Sequence, residues 1–446
     1  ARQQSSEDVH RGLLGLPDSV LLCVASFMET FDFRRVWSTC HKLHRILREG
    51  IIAVEFATES NVLDACTCFH GMQKLKACLV GSGASATASR MSDIFIRNES
   101  HIRVLDLSGS LLDDSSVRSL CRFIVMNPHF VELLLTNCSL RPSSCLDIGS
   151  ALQRNHSLRH VDLSLNTVGA SGAKALGKAL KHNQTLTSLN LNQCEITVEG
   201  CISLCQALPL NFSLKCLRIR NFNSERDTVL LWKAINALES GLRDNSTILE
   251  LDLEDNLIDP SQVTTLGLLF SGHPSLRNLC LSQNPLEGHL FAPVESPSLS
   301  CPVQPLCHTL QTLSLVATGL HLESGAALVS FLDTCPLLER VYLGANKLGN
   351  PGAVALGTML QHNECIKELH LQENHIGARG ARSLAEGLAF NSTLRHLNLF
   401  YNQIANEGAR DLALALTENT TLRVLDVEDN SIEASGVHAL EHAVEV

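Results

Sequence analysis

The 446-residue sequence has few aromatic residues, no clustered positive charge and no long apolar run. Aromatic residues make up 4% of the chain and hydrophobic residues 45%, so a large core has to be built from aliphatic side chains. The net charge is -11, which argues against nucleic-acid binding, because phosphate contacts need clustered Lys and Arg. No apolar run approaches the roughly 20 residues of a membrane-spanning helix, so no membrane partner is expected.

Motifs for catalysis and metal binding are also scarce. The Gly81–Gly83 segment lacks the spacing and the lysine of a phosphate-binding loop. Cys66, Cys68 and His70 form C-x-C-x-H, but no second pair completes a zinc site, and a helix with buried cysteines explains them better. We therefore expect a protein that is not an enzyme and that needs no metal and no cofactor.

One internal repeat dominates the chain. The pattern L-x-x-L-x-L-x-x-N/C-x-L recurs with nine intervals of 28 residues and two of 34, a regularity typical of repeat architectures. Its twelve units begin at Ile102, Phe130, Leu158, Leu186, Leu214, Ile248, Leu276, Leu310, Leu338, Ile366, Leu394 and Leu422. A repeat array explains how 446 residues bury their apolar surface without one oversized core.

Each repeat predicts one short strand and one helix. Val161 and Leu163 alternate as inward-facing strand residues. The side-chain amide of Asn166 is placed to form hydrogen bonds with buried backbone groups of the loop. The following helix ends at Asn183, where we expect a left-handed residue. Strands stack about 4.8 Å apart and helices pack 8–10 Å apart, so the array has to curve with the strands on its concave side.

This pattern resembles the 28-residue leucine-rich repeats of ribonuclease inhibitor and of the NOD-like receptors. The resemblance covers residues 102–446 and implies an α/β horseshoe solenoid of about 12 repeats, with parallel strands concave, helices convex and proteins bound on the concave face. Two units depart from it. Asn223–Thr228 reads as a polar loop, and the proline-rich insertion at 285–305 is either an ordered irregular loop or a partner-docking loop.

The cysteines fit a reducing environment. Cys138, Cys194 and Cys78 lie at positions where the repeat pattern predicts a small or apolar buried residue. A free cysteine fits such a position because it packs like a small hydrophobic residue. We expect an intracellular location, the cytoplasm first, while a targeting segment before Ala1 would direct the protein to an organelle. Sequons such as the one at Asn155 arise from the N-x-[ST]-L end of each helix and are by-products of the repeat.

Residues 16–48 do not follow the repeat, and their pattern predicts three short helices. Such a short segment cannot bury its apolar faces alone, so it has to pack against another part of the chain or a partner. They resemble an F-box, with a Leu-Pro start, Ser26-Phe27 closing the first helix, and Cys40, Leu43 and Leu47 in the third. The resemblance implies docking to the Skp-type adaptor of an SCF-like ubiquitin ligase through Leu16, Pro17, Val20, Leu21 and Val24. The alternative is that this segment only caps the solenoid.

The remaining N-terminal residues complete the predicted domain organisation. Residues 1–15 form a tail, and residues 49–101 hold degenerate repeats with strands around Val54 and Leu75. We expect Gly81–Ser89 to be a flexible loop of small residues.

Strand residues that face out on the concave side are the candidate binding positions. We expect a contact surface at Arg340, Tyr342, Glu368, His370, Gln372, His396, Phe400, Tyr401, Asp426 and Glu428, because exposed aromatic residues on a rigid face are typical of hot spots. An acidic concave patch comprises Glu250, Asp252, Glu254 and Asp255, and such a cluster is most often a solvated face.

Three functions fit these features. The first is a substrate receptor of an SCF-like ligase, with a Skp-type adaptor and a substrate as partners. The second is an architectural subunit of a large assembly such as an axoneme, a ribosome or its precursor, or an organellar complex. The third, a minor alternative, is a regulator of a GTPase or a nuclease.

Overall fold

The computed structural model describes residues 53–56, 63, 66, 74–97, 102–223, 228–260, 273–287 and 308–445. It divides into two compact units, Ala1–Glu225 and Arg226–Val446. The F-box-like segment at 16–48, its docking residues and most of the 285–305 insertion lie outside the described residues. Among the helices in the described part of the chain, none has the length and apolarity needed to cross a membrane.

The first unit is a parallel ladder in which each strand pairs with the next along the chain. Its strands are β1 (Ala53–Phe56), β2 (Lys74–Ala77), β3 (Val104–Asp106), β4 (Glu132–Leu134), β5 (His160–Asp162), β6 (Ser188–Asn190) and β7 (Cys216–Arg218). Its helices are α1 (Ala84–Arg97), α2 (Asp114–Met126), α3 (Pro142–Leu152), α4 (Gly169–Leu180) and α5 (Thr197–Cys205).

The second unit repeats the arrangement. After α6 (Thr228–Arg243) come the strands β8 (Glu250–Asp252), β9 (Asn278–Cys280), β10 (Thr312–Ser314), β11 (Arg340–Tyr342), β12 (Glu368–His370), β13 (His396–Asn398) and β14 (Val424–Asp426). The helices are α7 (Ser324–Asp333), α8 (Gly349–Leu360), α9 (Ala378–Phe390), α10 (Ala405–Glu418) and α11 (Ala434–Glu445). Neighbouring strands again pair in parallel from β8 to β14, and the helices from α7 to α11 pack in sequence.

The repeat residues form the core as predicted. Val161 and Leu163 are buried, and so are Ala173, Leu176 and the other inward residues of α4. Asn166 Nδ2 donates to the carbonyls of Leu135 and Leu163, and its Oδ1 accepts backbone N–H groups of the preceding repeat. Equivalent buried asparagines stand at Asn256, Asn284, Asn346, Asn374, Asn402 and Asn430. The predicted α/β repeat solenoid is confirmed in each unit.

The expectation for Asn183 is wrong in its backbone detail. Asn183 is absent from the residues with positive φ, and its equivalents Asn391 and Asn419 have extended backbone with φ of -78° and -84°. The side chain explains the position instead, because Asn183 Nδ2 donates to Leu152 O and Asn155 O of the preceding helix end. Burial of such amides also agrees with the interpretation of the sequons as by-products of the fold.

Two expectations near the start of the array are also wrong. Gly81–Ser89 is a loop only over the turn at its first three residues, because α1 begins at Ala84 and buries a stripe that includes Ala88, Met91 and Phe95. Cys78 is exposed, since β2 and the following residues bury Leu75, Ala77 and Leu79 in strict alternation.

Candidate functional site

The strand face of the second unit is built by three rows of outward side chains. Strand register places Arg340 beside Glu368 and Glu368 beside His396 in one row, and Tyr342 beside His370 in the next. A third row follows each strand end and includes Gln372 and Phe400. Because each inward leucine is buried, the residues on either side of it are forced outward.

Aromatic rings stack along this face. The rings of Tyr342 and His370 lie 4.5 Å apart between centroids at an angle of 21°, and His370 and His396 follow at 4.8 Å and 59°. Ring pairs at these distances attract each other beyond simple area burial. We call Arg340, Tyr342, Glu368, His370 and His396 the stacked cluster.

Glu368 lies at the centre of the stacked cluster. Its carboxylate is 3.5 Å from Arg340 Nε and 3.9 Å from His370 Nε2. Burial, with Glu368 as a second cause, raises the pKa of Tyr342. Burial is also the main cause that lowers the pKa of His370, and neighbouring His396 adds to it. Tyr342 and His370 are therefore uncharged at neutral pH, next to the ion pair of Arg340 and Glu368.

One groove is lined by residues of both predicted surfaces, the acidic patch and the contact surface. A groove of about 480 Å³ is lined by Glu250 and Asp252 from the acidic patch together with Arg340, Tyr342 and Glu368 from the stacked cluster. Neighbouring strands add Asn278, Cys280, Thr312 and Ser314 to the same groove. These four residues were not predicted as binding positions, although Cys280 and Ser314 hold the position of Tyr342 in their own repeats.

Tyr401 and Asp255 do not lie with the strand rows as expected. Both follow the strand end and have left-handed backbone, with φ of 51° and 55°. Tyr401 is 61% exposed and lines a second groove of about 550 Å³ at the carboxyl ends of the strands with Lys347, Glu373 and Asp429. The physical reason is the tight turn after each strand, which turns the next residue away from the strand face.

The other predicted positions lie along the same face. Gln372 and Phe400 are half-buried, and the Phe400 ring is 6.1 Å from that of Tyr401. Asp426 and Glu428 lie on and just after the last strand, where Asp426 Oδ1 accepts the backbone N–H of Glu428. They do not line the groove that contains the stacked cluster.

Asp252, Glu254 and Cys280 bring three potential ligand atoms within 4.8 Å of one another. Burial raises the pKa of the Cys280 thiol, and its Sγ atom lies 3.9 Å from Glu254 Oε2. Gln283 Nε2 donates to one oxygen of Glu254 at 2.5 Å. We assign no metal to these residues.

Charge is unevenly distributed over the strand face. Its rows carry the carboxylates of Glu250, Asp252, Glu254, Glu368, Asp426 and Glu428, whereas the cation on the described rows is Arg340. The residues that directly precede the strands include Arg277, Lys367, Arg395 and Arg423, but Glu339 holds the same position before β11 and forms an ion pair with Lys367. The rows therefore carry a net negative charge, which complements positively charged groups.

Comparison with known proteins agrees with this fold. A family profile described as Leucine Rich repeat matches residues 154–177, 182–205, 362–385, 390–413 and 418–440. NACHT, LRR and PYD domains-containing protein 5 from cattle (Bos taurus) is 29% identical over 72% of this chain and 23% of its own length. Ribonuclease inhibitor from pig (Sus scrofa) is 28% identical over 39% of this chain and 42% of its own length.

A solved structure of the yeast Rad7 and Elc1 complex gives a TM-score of 0.48 at 13% identity, covering 96% of this chain and 88% of that one. The chain spans less than half the length of the curated relatives it matches. Its leucine-rich repeats are homologous to those of NACHT, LRR and PYD domains-containing proteins and of ribonuclease inhibitor.

Proposed function

We propose that this protein is a non-enzymatic receptor that holds a partner protein on the strand face of its second unit. The stacked cluster is the observation that carries the proposal, because it places Tyr342, His370 and His396 in contact on a rigid ladder. A rigid aromatic surface loses little conformational entropy on binding, which is why such residues dominate interface energetics. The row carboxylates add specificity for a partner with basic groups.

The finer proposal is a substrate receptor of an SCF-like ubiquitin ligase. The resemblance of residues 16–48 to an F-box supports it, with Leu16, Pro17, Val20, Leu21 and Val24 as adaptor contacts. In this arrangement the adaptor and the substrate occupy different parts of the chain, so each can be lost separately.

Coexpression with a Skp-type adaptor tests this function. We expect the wild-type chain to copurify the adaptor, Leu16→Asp to lose it, and Gln4→Asp in the predicted tail to retain it. Tyr342→Ala should also retain the adaptor, because it changes only the strand face. Absence of the adaptor from the wild-type chain would refute the ligase role while leaving the strand-face proposal open to its own test.

An architectural role is the second candidate, and the exposed apolar residues Phe390 and Leu414 on the helix side favour it. A permanent subunit would stay in a heavy particle when native extracts are sedimented at high salt. A regulator of a nuclease or a GTPase is a third candidate, supported by homology to ribonuclease inhibitor. Inhibition of a purified ribonuclease, or a changed GTPase rate, would identify it.

A further inference from the structure

The helix side of the second unit carries an apolar groove that the strand-face proposal does not use. Phe390 at the end of α9 is 74% exposed, and Leu414 on α10 is 68% exposed. Both side chains line one groove of about 290 Å³ between these helices, together with Ala385, Ala389 and Ala415.

The repeat itself does not require these apolar residues. The position of Phe390 is taken by His362 in the repeat before and by Glu418 in the repeat after, and both are exposed. The position of Leu414 is likewise taken by exposed Thr358 and Glu386 in the two preceding repeats. A large apolar side chain that stays in water forgoes the favourable free energy of its burial. Two such departures facing one groove indicate a surface that something covers.

The charges around the groove limit what can cover it. At one end Arg382 Nε donates to Asp411 Oδ2 at 3.0 Å, so these two charges offset each other. Glu386 and Glu418 also line the groove and add negative charge that this pair does not balance. An occupant therefore needs an apolar side chain next to positive charge.

We propose that the groove between α9 and α10 binds an amphipathic segment of a partner protein. The segment places one large apolar side chain between Phe390 and Leu414 and directs Lys or Arg side chains toward Glu386 and Glu418. This surface lies on the helix side, so it is separate from the strand face and can be occupied together with it.

Fluorescence anisotropy with a labelled 14-residue Leu/Lys amphipathic helical peptide tests the proposal. We expect Phe390→His/Leu414→Thr to weaken binding at least tenfold, because it removes the apolar pair. The double variant introduces the residue types of His362 and Thr358 from the α8 repeat, so the fold is retained, and a circular dichroism melt checks this. Glu386→Gln/Glu418→Gln should weaken binding severalfold.

Two controls separate this site from general attraction. A Leu/Glu peptide with the same apolar spacing should not bind, and Tyr342→Ala should bind the Leu/Lys peptide like the wild type. Equal binding of the Leu/Lys peptide to Phe390→His/Leu414→Thr would overturn the proposal, and so would equal binding of both peptides. Sedimentation that shows a dimer abolished by the same double variant would also overturn it, because a second copy would then be the occupant.

Discussion

Asparagine holds the repeats together at two places, each through its side-chain amide. Asn166 lies in the turn after β5, where its Oδ1 accepts the N–H groups of Cys138 and Leu140 at 2.9 and 3.0 Å. Asn183 follows α4 and joins the ends of successive helices. Both amides are buried, so each bond replaces contact with water that the backbone has lost.

Asn166→Ala should therefore be strongly destabilising. The change leaves two buried N–H donors without their acceptor, which costs roughly 2–4 kcal/mol. Urea unfolding followed by circular dichroism measures the loss. Gln361→Ala, at an exposed helix end, is the matched control and should change stability little. Equal effects of the two substitutions would contradict the role given to Asn166.

His273 occupies the repeat position that is held by Asn245 one repeat earlier and by Asn183 and Asn391 in other repeats. Its Nδ1 accepts the backbone N–H groups of Ser275 and Leu276 at 3.3 and 3.1 Å, which requires a neutral ring. Burial lowers the pKa of His273. The unfolded state, with a pKa near 6.5, then binds the proton more readily than the folded state does. The stability this group contributes is present above about pH 6.5 and declines as the pH falls toward the folded pKa.

His273→Asn should remove that part of the pH dependence. Asparagine keeps an acceptor for the two N–H groups but does not titrate. Urea unfolding at pH 7.5 and 5.5 should show a smaller loss of stability in the variant than in the wild type, while exposed His182→Asn should match the wild type. An unchanged pH dependence in His273→Asn would be evidence against this account.

At the scale of the element, close helix packing explains glycines inside helices. Gly357 of α8 faces the backbone of α9, and a Cβ atom there would lie within the contact distance of the Ser383 carbonyl oxygen. Alanine normally favours a helix over glycine by about 1 kcal/mol. Packing against a neighbouring backbone opposes that preference.

Gly357→Ala should consequently destabilise the protein by about 1–3 kcal/mol, the usual cost of overpacking. Thr358→Ala, one residue along at an exposed position, also raises helix propensity and should be neutral or slightly stabilising. Thermal unfolding of the two variants measures the contrast. A stabilising Gly357→Ala would mean that α8 and α9 do not pack this closely.

The strands and most helices were predictable because the repeat fixes their register. Every buried leucine specifies which neighbours face out, so the positions of Arg340 and Glu368 followed from spacing alone. Helix α1 was not predictable in the same way, because its first turns contain Ala, Ser and Thr, which resemble a loop in composition. Its buried face becomes clear only when Met91 and Phe95 are counted with Ala88.

At the scale of the whole molecule, neighbouring repeats create the candidate site. No single repeat contains the stacked cluster, because Tyr342, His370 and His396 come from three consecutive strands. These residues were predicted from the sequence but their contacts were not, since the ring geometry depends on the side-chain rotamers on three neighbouring strands. The groove that joins Glu250 and Asp252 to Tyr342 arises for the same reason.

The central claim, that the strand face binds a partner protein, is tested most directly by quantitative affinity purification with mass spectrometry. Wild type is compared with Tyr342→Ala/His370→Ala/Phe400→Ala and with Gln361→Ala as an exposed helix-side control. We predict that at least one stoichiometric partner is lost from the triple variant and retained by the control, while thermal unfolding shows both variants folded. An identical partner set in all three samples would contradict the claim.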